Sequence, residues 1–359
     1  MQKDRLASAK YLFLRSLILL LIGMVAACTV PLLNSNGVSQ NRPVAPAKTA
    51  AVAGLHLNGS LILIDPTPDG NDIIRVELAT GKISLIYHLP EHALLGSALV
   101  SPDRKQILLV YAPPPLPSKS LTYTSLYLLP IDGSSDPHLI IASDRASQAY
   151  FSPTWSPDGN AVYASHYNLP SSNSGVPGQY TIDRVTLDGK VQTILKDAEW
   201  PRISPDGSHI AFITAGQDYG SNNELYIADS NGVNPVPVLT PGSYPAVDDH
   251  FFTSDGETIV FSAVNKLAQA EPSFLDQLFG IEVASAHTVP SDWYSVSLGN
   301  RTVQRLTNLN DTGMYAALSP DGQHFAFTSQ TGTYVMNLDG TNLIQIPDLV
   351  SIGTVDWIP

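Results

Sequence analysis

Asp248-Asp249-His250 is the densest run of chemistry-bearing side chains in this sequence. Two carboxylates and an imidazole in succession offer oxygen and nitrogen donors for a divalent cation, or acceptors for an amine. Consecutive residues do not all face one point, so a cation here needs ligands from elsewhere in the fold. His92, Tyr150, Glu199 with Trp200, and Tyr315 stand at matching points of a repeat that runs along the chain. Together these residues form a candidate ring of polar and aromatic groups, a chemistry suited to the mouth of a ligand site. The plainer reading of Asp248–His250 is a solvated turn whose carboxylates bond local backbone. The plainer reading of half the ring is packing.

Other chemistries find no support. There is no Gly-x-Ser-x-Gly nucleophile elbow and no phosphate-binding Gly-x-x-x-x-Gly-Lys-Ser/Thr loop. The nine histidines form no His-x-His or His-Glu-x-x-His pair, and Cys28 is the only cysteine. Thiolate catalysis and thiolate metal sites are therefore excluded from the folded domain. A divalent cation in a central channel is the one cofactor the residues allow.

The elements that must position these groups come from a repeated phrase. It stands as Ser101-Pro102-Asp103-Arg104, Ser156-Pro157-Asp158-Gly159, Ser204-Pro205-Asp206-Gly207, Thr253-Ser254-Asp255-Gly256 and Ser319-Pro320-Asp321-Gly322, at intervals of 55, 48, 49 and 66 residues. Each is a β-turn in which proline pre-sets φ, Asp bonds backbone two residues on, and Gly accepts the left-handed region. A short apolar strand follows each, such as Gln106–Tyr111, His209–Ile213 or Thr258–Phe261. A second strand then runs into a hairpin at Thr80-Gly81, Asp132-Gly133, Asp188-Gly189, Asn231-Gly232, Gly299-Asn300 and Asp339-Gly340. A third strand, and a fourth leading into the next phrase, complete a four-stranded unit. Repeats of this period built from short strands are propeller blades.

The hairpin series counts six units, of which the first lacks its innermost strand. Thr354–Pro359 is a strand without a unit, and it resembles Ser152–Pro157. Pairing it with the first unit closes the ring and removes two exposed edges. The expected fold is thus all-β: a six-bladed β-propeller with four-stranded blades, closed by the C-terminal strand. The Ser-Pro-Asp-Gly phrase, the Ile210-Ala211-Phe212 and Phe325-Ala326-Phe327 strands and Leu225-Tyr226-Ile227 resemble the TolB-like propeller repeat, which is WD40-like. That resemblance spans nearly all of the chain beyond its first 54 residues, and it implies a binding role by fold analogy. The repeat also resembles the propellers of dipeptidyl peptidase IV-type enzymes, whose α/β-hydrolase domain has no counterpart here.

Residues 1–27 read as a signal peptide: Lys3, Arg5, Lys10 and Arg15 precede the apolar run Leu17–Met24 and the small residues Val25-Ala26-Ala27. Cys28 follows at the cleavage point, a pattern that resembles a bacterial lipobox and implies acylation of its thiol. Residues 28–54, rich in Pro, Ala and Asn, read as a lipidated flexible tether, and residues 55–359 as the propeller. The expected location is the extracytoplasmic face of the cell membrane or outer membrane. Loss of residues 1–27 takes the net charge from −13 to −16, which argues against nucleic acid as a partner.

Loop lengths are asymmetric. The connections Ala112–Thr124, Asn168–Gln179, Ala215–Asn223 and Ser262–Asp292 are long and share one face, whereas the opposite face carries only tight turns. Long loops on a rigid scaffold are where binding resides. The insertion at about 262–292 carries helix signals, with Phe274, Leu275, Leu278 and Phe279 on one side as a partner-docking ridge, or as a helix packed on its own propeller. The expected function is a membrane-anchored, non-catalytic binding module of the cell envelope for a protein partner or small ligand. The alternative is a metal-dependent lyase or hydrolase of sugars or peptides, with His92, Glu199, Asp249 and His250 as ligands at the channel mouth.

Overall fold

The computed structural model describes residues 57–114, 124–144, 147–168, 178–215, 223–264 and 289–359. Every described residue belongs to one compact unit. The expected signal peptide, the expected lipidation site Cys28, the expected tether and the expected Phe274–Phe279 docking ridge fall outside the described residues. Among those described there is no helix, and so none long and apolar enough to cross a membrane.

Among the described residues, twenty-four strands form six antiparallel sheets of four. Blade 1 holds β1 (Ser60–Thr67), β2 (Gly70–Glu77) and β3 (Ile83–Pro90), and blade 2 holds β4 (Leu94–Val100), β5 (Gln106–Ala112), β6 (Ser125–Pro130) and β7 (His138–Ile141). Blade 3 comprises β8 (Gln148–Trp155), β9 (Ala161–Asn168), β10 (Gln179–Thr186) and β11 (Val191–Lys196). Blade 4 comprises β12 (Ala198–Ile203), β13 (His209–Thr214), β14 (Leu225–Asp229) and β15 (Val236–Pro237). Blade 5 follows with β16 (Val247–Phe252), β17 (Thr258–Val264), β18 (Ser291–Ser297) and β19 (Val303–Arg305). Blade 6 is β20 (Tyr315–Leu318), β21 (His324–Ser329), β22 (Gly332–Asn337) and β23 (Ile344–Ile346), and β24 (Asp356–Ile358) returns to blade 1.

Strand order within every blade runs from the inner strand outward, and the inner strands neighbour one another in a ring, with β24 beside both β20 and β4. The expected closure is present: β24 pairs antiparallel with β1, Leu61 facing Trp357. Trp357 Nε1 donates to the carbonyl of Asn58 at 2.9 Å, across 299 residues of sequence. The seam to blade 2 is tied by Ala98 N donating to Thr354 Oγ1 at 3.0 Å and Val100 N to Asp356 Oδ2 at 2.7 Å.

The continuous apolar runs have a simple cause. Side chains alternate across a strand, and in a propeller both faces of a blade are buried against neighbours. In β13, Ile210 and Phe212 enter the cluster between blades 3 and 4, whereas Ala211 and Ile213 enter the one between blades 4 and 5. In β17, Ile259 and Phe261 face blade 4 and Val260 faces blade 6. Each of the six seams has such a cluster.

The repeated turn is a hydrogen-bonded unit. Ser204 Oγ donates to Asp206 Oδ1 at 2.6 Å and accepts from His209 N at 2.9 Å, while Asp206 Oδ1 also accepts from Ser208 N at 3.0 Å. The same set recurs at Ser101, Ser156, Thr253 and Ser319. These hydrogen bonds hold Asp103, Asp158, Asp206, Asp255 and Asp321 below the usual carboxylate range, with the bond from the turn's own hydroxyl the largest cause.

A candidate ligand site on the inner strands of blades 4 to 6

Inner strands in this fold are bulged where they line the channel. β8 shifts register between Phe151 and Thr154, β12 between Glu199 and Arg202, and β16 between Val247 and His250. A bulge re-aims side chains away from regular alternation, and the residues it re-aims here are Trp200, Asp248 and Asp249. Trp200 carries φ of 58°, in the left-handed region, and its N–H donates to Ser165 Oγ of blade 3 at 2.7 Å. Backbone held there costs on the order of 1–3 kcal/mol, so surrounding contacts must over-determine it.

Those contacts join three blades. Arg202 Nη2 of blade 4 donates to Asp249 Oδ1 of blade 5 at 2.5 Å. Asp249 Oδ1 also accepts from His250 N at 2.9 Å, and Oδ2 accepts from Ala316 N of blade 6 at 2.8 Å. The Trp200 and Tyr315 rings stack with centroids 5.9 Å apart and an interplanar angle of 17°, and the Arg202 guanidinium lies 6.0 Å from the Trp200 ring centre. Blade 5 stands between the blades that supply these two rings, so the stack links two blades that are not neighbours in the ring. Asp248 and Asp249 are both buried, and burial with their two charges pushes the Tyr315 phenol above its ordinary range.

His250 lies outside this polar cluster. It is fully buried, and burial pulls its pKa down to about 4, aided by the positive charge of Arg202. It is a neutral seam residue, and Asp249 has both oxygens committed. His92 sits apart in an exposed turn, 3.4 Å from Glu91, and Glu199 is half-buried on β12. The four expected cation ligands are therefore not brought together. Among the described residues no three His, Cys, Asp or Glu side chains converge in a metal-ligating group.

Tyr150 belongs to a separate cluster in blade 3. Its ring stacks on His166 at 4.3 Å and 11°, and His166 Nδ1 lies 2.8 Å from Asp183 Oδ2. Burial opposes the Asp183 charge, yet hydrogen bonds from His166, Thr193 and Thr181 outweigh it and hold the carboxyl below its usual range. His166 Nε2 is buried without a partner.

The expected ring thus resolves into a Trp200–Asp248–Asp249–Tyr315 cluster, a separate Tyr150 pair, and outlying His92 and Glu199. The sequence reading missed Arg202, the residue that ties the cluster together. Its signal was present: Arg202 is the only Lys or Arg in any inner strand.

No protein-family model matches the chain, and no curated protein sequence does. Solved structures do match. TolB from Acinetobacter baumannii is 16% identical with a TM-score of 0.58, over 84% of this chain and 67% of that one. A putative TolB from Agrobacterium tumefaciens is 17% identical with a TM-score of 0.54, over 77% of this chain and 94% of that one. A puromycin hydrolase is 14% identical with a TM-score of 0.53, over 83% of this chain but only 46% of its own. At these identities the likeness establishes the fold, a TolB-like propeller, and nothing finer.

Proposed function

We propose that this TolB-like propeller is a membrane-tethered, extracytoplasmic binding module that engages a protein partner or small ligand on its elaborated face, without chemistry of its own. The observation that carries the reading is the contrast between the two ends of the blades. At one end every inner-strand turn is short and most are locked by a Ser–Asp or Thr–Asp pair. At the other end the sequence between β5 and β6, β9 and β10, β13 and β14, and β17 and β18 is longer. Arg202, Trp200 and Tyr315 are the contact residues at the rim of the elaborated face.

The enzyme reading draws support from the Asp183–His166 pair, in which a carboxylate orients an imidazole whose far nitrogen is unengaged. It is weaker, because Asp249 is saturated by Arg202 and two backbone amides. Deleting residues 267–285 from the full chain tests the binding reading. The expected result is unchanged thermal stability with loss of the partner co-purified from envelope extracts. A stoichiometric divalent ion, lost in an Asp249→Ala/His250→Ala variant, would replace the binding reading with the enzyme. Palmitate labelling that disappears in Cys28→Ser is the expected outcome for the anchor.

A further inference from the structure

Blade 4 ends in the shortest of the described strands, two-residue β15, and the space beside it is open. The result is a cleft of about 580 Å³ on the seam between blades 4 and 5, within the size range of small-molecule sites. Its walls include Thr240, Ser243, Tyr244, Tyr294, Arg301 and Arg305, and no lining residue is acidic. In a chain of net charge −13, a cleft with two arginines and no acidic side chain on its walls leans positive, even with one arginine paired to Asp292 behind it.

The two arginines are held differently. Arg305 Nη2 donates to the buried Asp292 Oδ2 at 2.6 Å and to Asn308 Oδ1 at 2.7 Å, which fixes the guanidinium and offsets its charge. Arg301 Nη1 donates to the Val238 carbonyl of blade 4 at 3.2 Å, and among the described residues Arg301 has no carboxylate partner. Arg301 therefore brings to the cleft a positive charge that no ion pair among the described residues neutralises, oriented by one backbone contact, and it also borders a neighbouring hollow that Asp229 lines. Tyr244 and Tyr294 meet edge-to-face at 5.0 Å, and Tyr294 stacks on Phe261 at 5.5 Å, giving a rigid aromatic wall beside it.

We propose that this seam cleft is a second ligand site, selective for a carboxylate carried by a small organic acid or a peptide end, with Arg301 as the anion-binding group and Tyr244–Tyr294 as its platform. A guanidinium fork matches a carboxylate in two parallel hydrogen bonds, and phenol rings accept the apolar body of such a ligand. The site is distinct from the inner-strand cluster and does not depend on the function proposed for it.

Calorimetry on the full chain at low ionic strength tests it with two matched pairs: glucuronate against glucose, and a tripeptide with a free against an amidated C-terminus. The expected result is at least tenfold tighter binding of the acid in one pair, and that pair identifies the source of the carboxylate. Arg301→Gln should erase the difference. Ser243→Trp, which fills the cleft and leaves both arginines, should erase binding itself. Arg104→Gln, an equal loss of charge at a remote turn, should change neither. Equal binding within both pairs, or a preference that survives Arg301→Gln, overturns the proposal.

Discussion

At the scale of single residues, two buried ionisable groups set opposing pH dependences. His250 stays neutral down to about pH 4, whereas an ordinary histidine titrates near 6.5. Its contribution to stability is intact above about 6.5 and is lost as pH falls toward 4, because only the unfolded chain takes up the proton; integrated, this is roughly 3 kcal/mol. Asp356 is pushed up to about 6 by burial, against the pull of amide bonds from Val100 and Trp357. Its contribution is full below the ordinary carboxylate value and is lost as pH rises through 6. The two slopes oppose each other, and between about 5 and 6, above the range where the low-lying turn carboxylates contribute, the melting temperature should change little. In His250→Gln it should fall as pH rises from about 5 to 6, and in Asp356→Asn it should fall as pH drops through the same range. Differential scanning at three pH values distinguishes this from parallel curves, which would mean that neither group titrates as argued. Neither shift was legible beforehand: His250 and Asp249 are neighbours in sequence, and only the β16 bulge sends one to the seam and the other to the axis.

At the scale of elements, the hairpin glycines do two things where the sequence suggested one. Positive φ was readable from Asp-Gly and Asn-Gly, and Gly133 indeed has φ of 64°. A side chain there would also meet the Ile86 carbonyl of the preceding blade, with a Cβ only 1.9 Å from its oxygen. Gly189 and Gly232 press in the same way on the Ile140 and Ile194 carbonyls at 2.8 and 2.4 Å. This contact reaches into another blade, so no local pattern announces it. At Gly159, by contrast, φ is 70° but a Cβ meets only the Pro102 ring, at 3.6 Å. Gly159→Ala should therefore cost only the backbone term, about 1 kcal/mol, and Gly133→Ala about 3 kcal/mol or more, since a neighbouring blade must move. Urea midpoints measure both, and equal losses would refute the docking role. The hydroxyl of the repeated turn was similarly underread: Ser204→Ala removes a donor to Asp206 and an acceptor for His209 N, a loss of about 1–2 kcal/mol.

At the scale of the whole molecule, the architecture was largely legible because its signal repeats. Five turn phrases, six hairpins and one unpaired strand suffice to count blades and to locate the closure. The site was less legible because it is assembled once, from three blades, and its linking residue, Arg202, belongs to no motif. The closure itself is testable. Removing residues 354–359 takes away the Leu61–Trp357 pairing and the bonds from Val100 and Ala98, leaving β1 without its inner neighbour and β4 without its neighbour in the inner ring. The expected outcome is loss of a single cooperative unfolding transition and a shift toward oligomers on gel filtration. A truncated chain with unchanged cooperativity would show that the remaining seams hold the ring unaided.

The same closure also sets an order of events in time. A ribosome delivers β1 long before β24, and Asn58 must wait 299 residues for Trp357. At elongation rates of about 5–20 residues per second, the first blade stands with a free inner edge for roughly 15–60 s. During that interval an unpaired apolar strand is available to any other nascent chain. The window for mispairing is therefore governed by translation speed and by whatever shields β1, and it shuts only when the final tryptophan arrives.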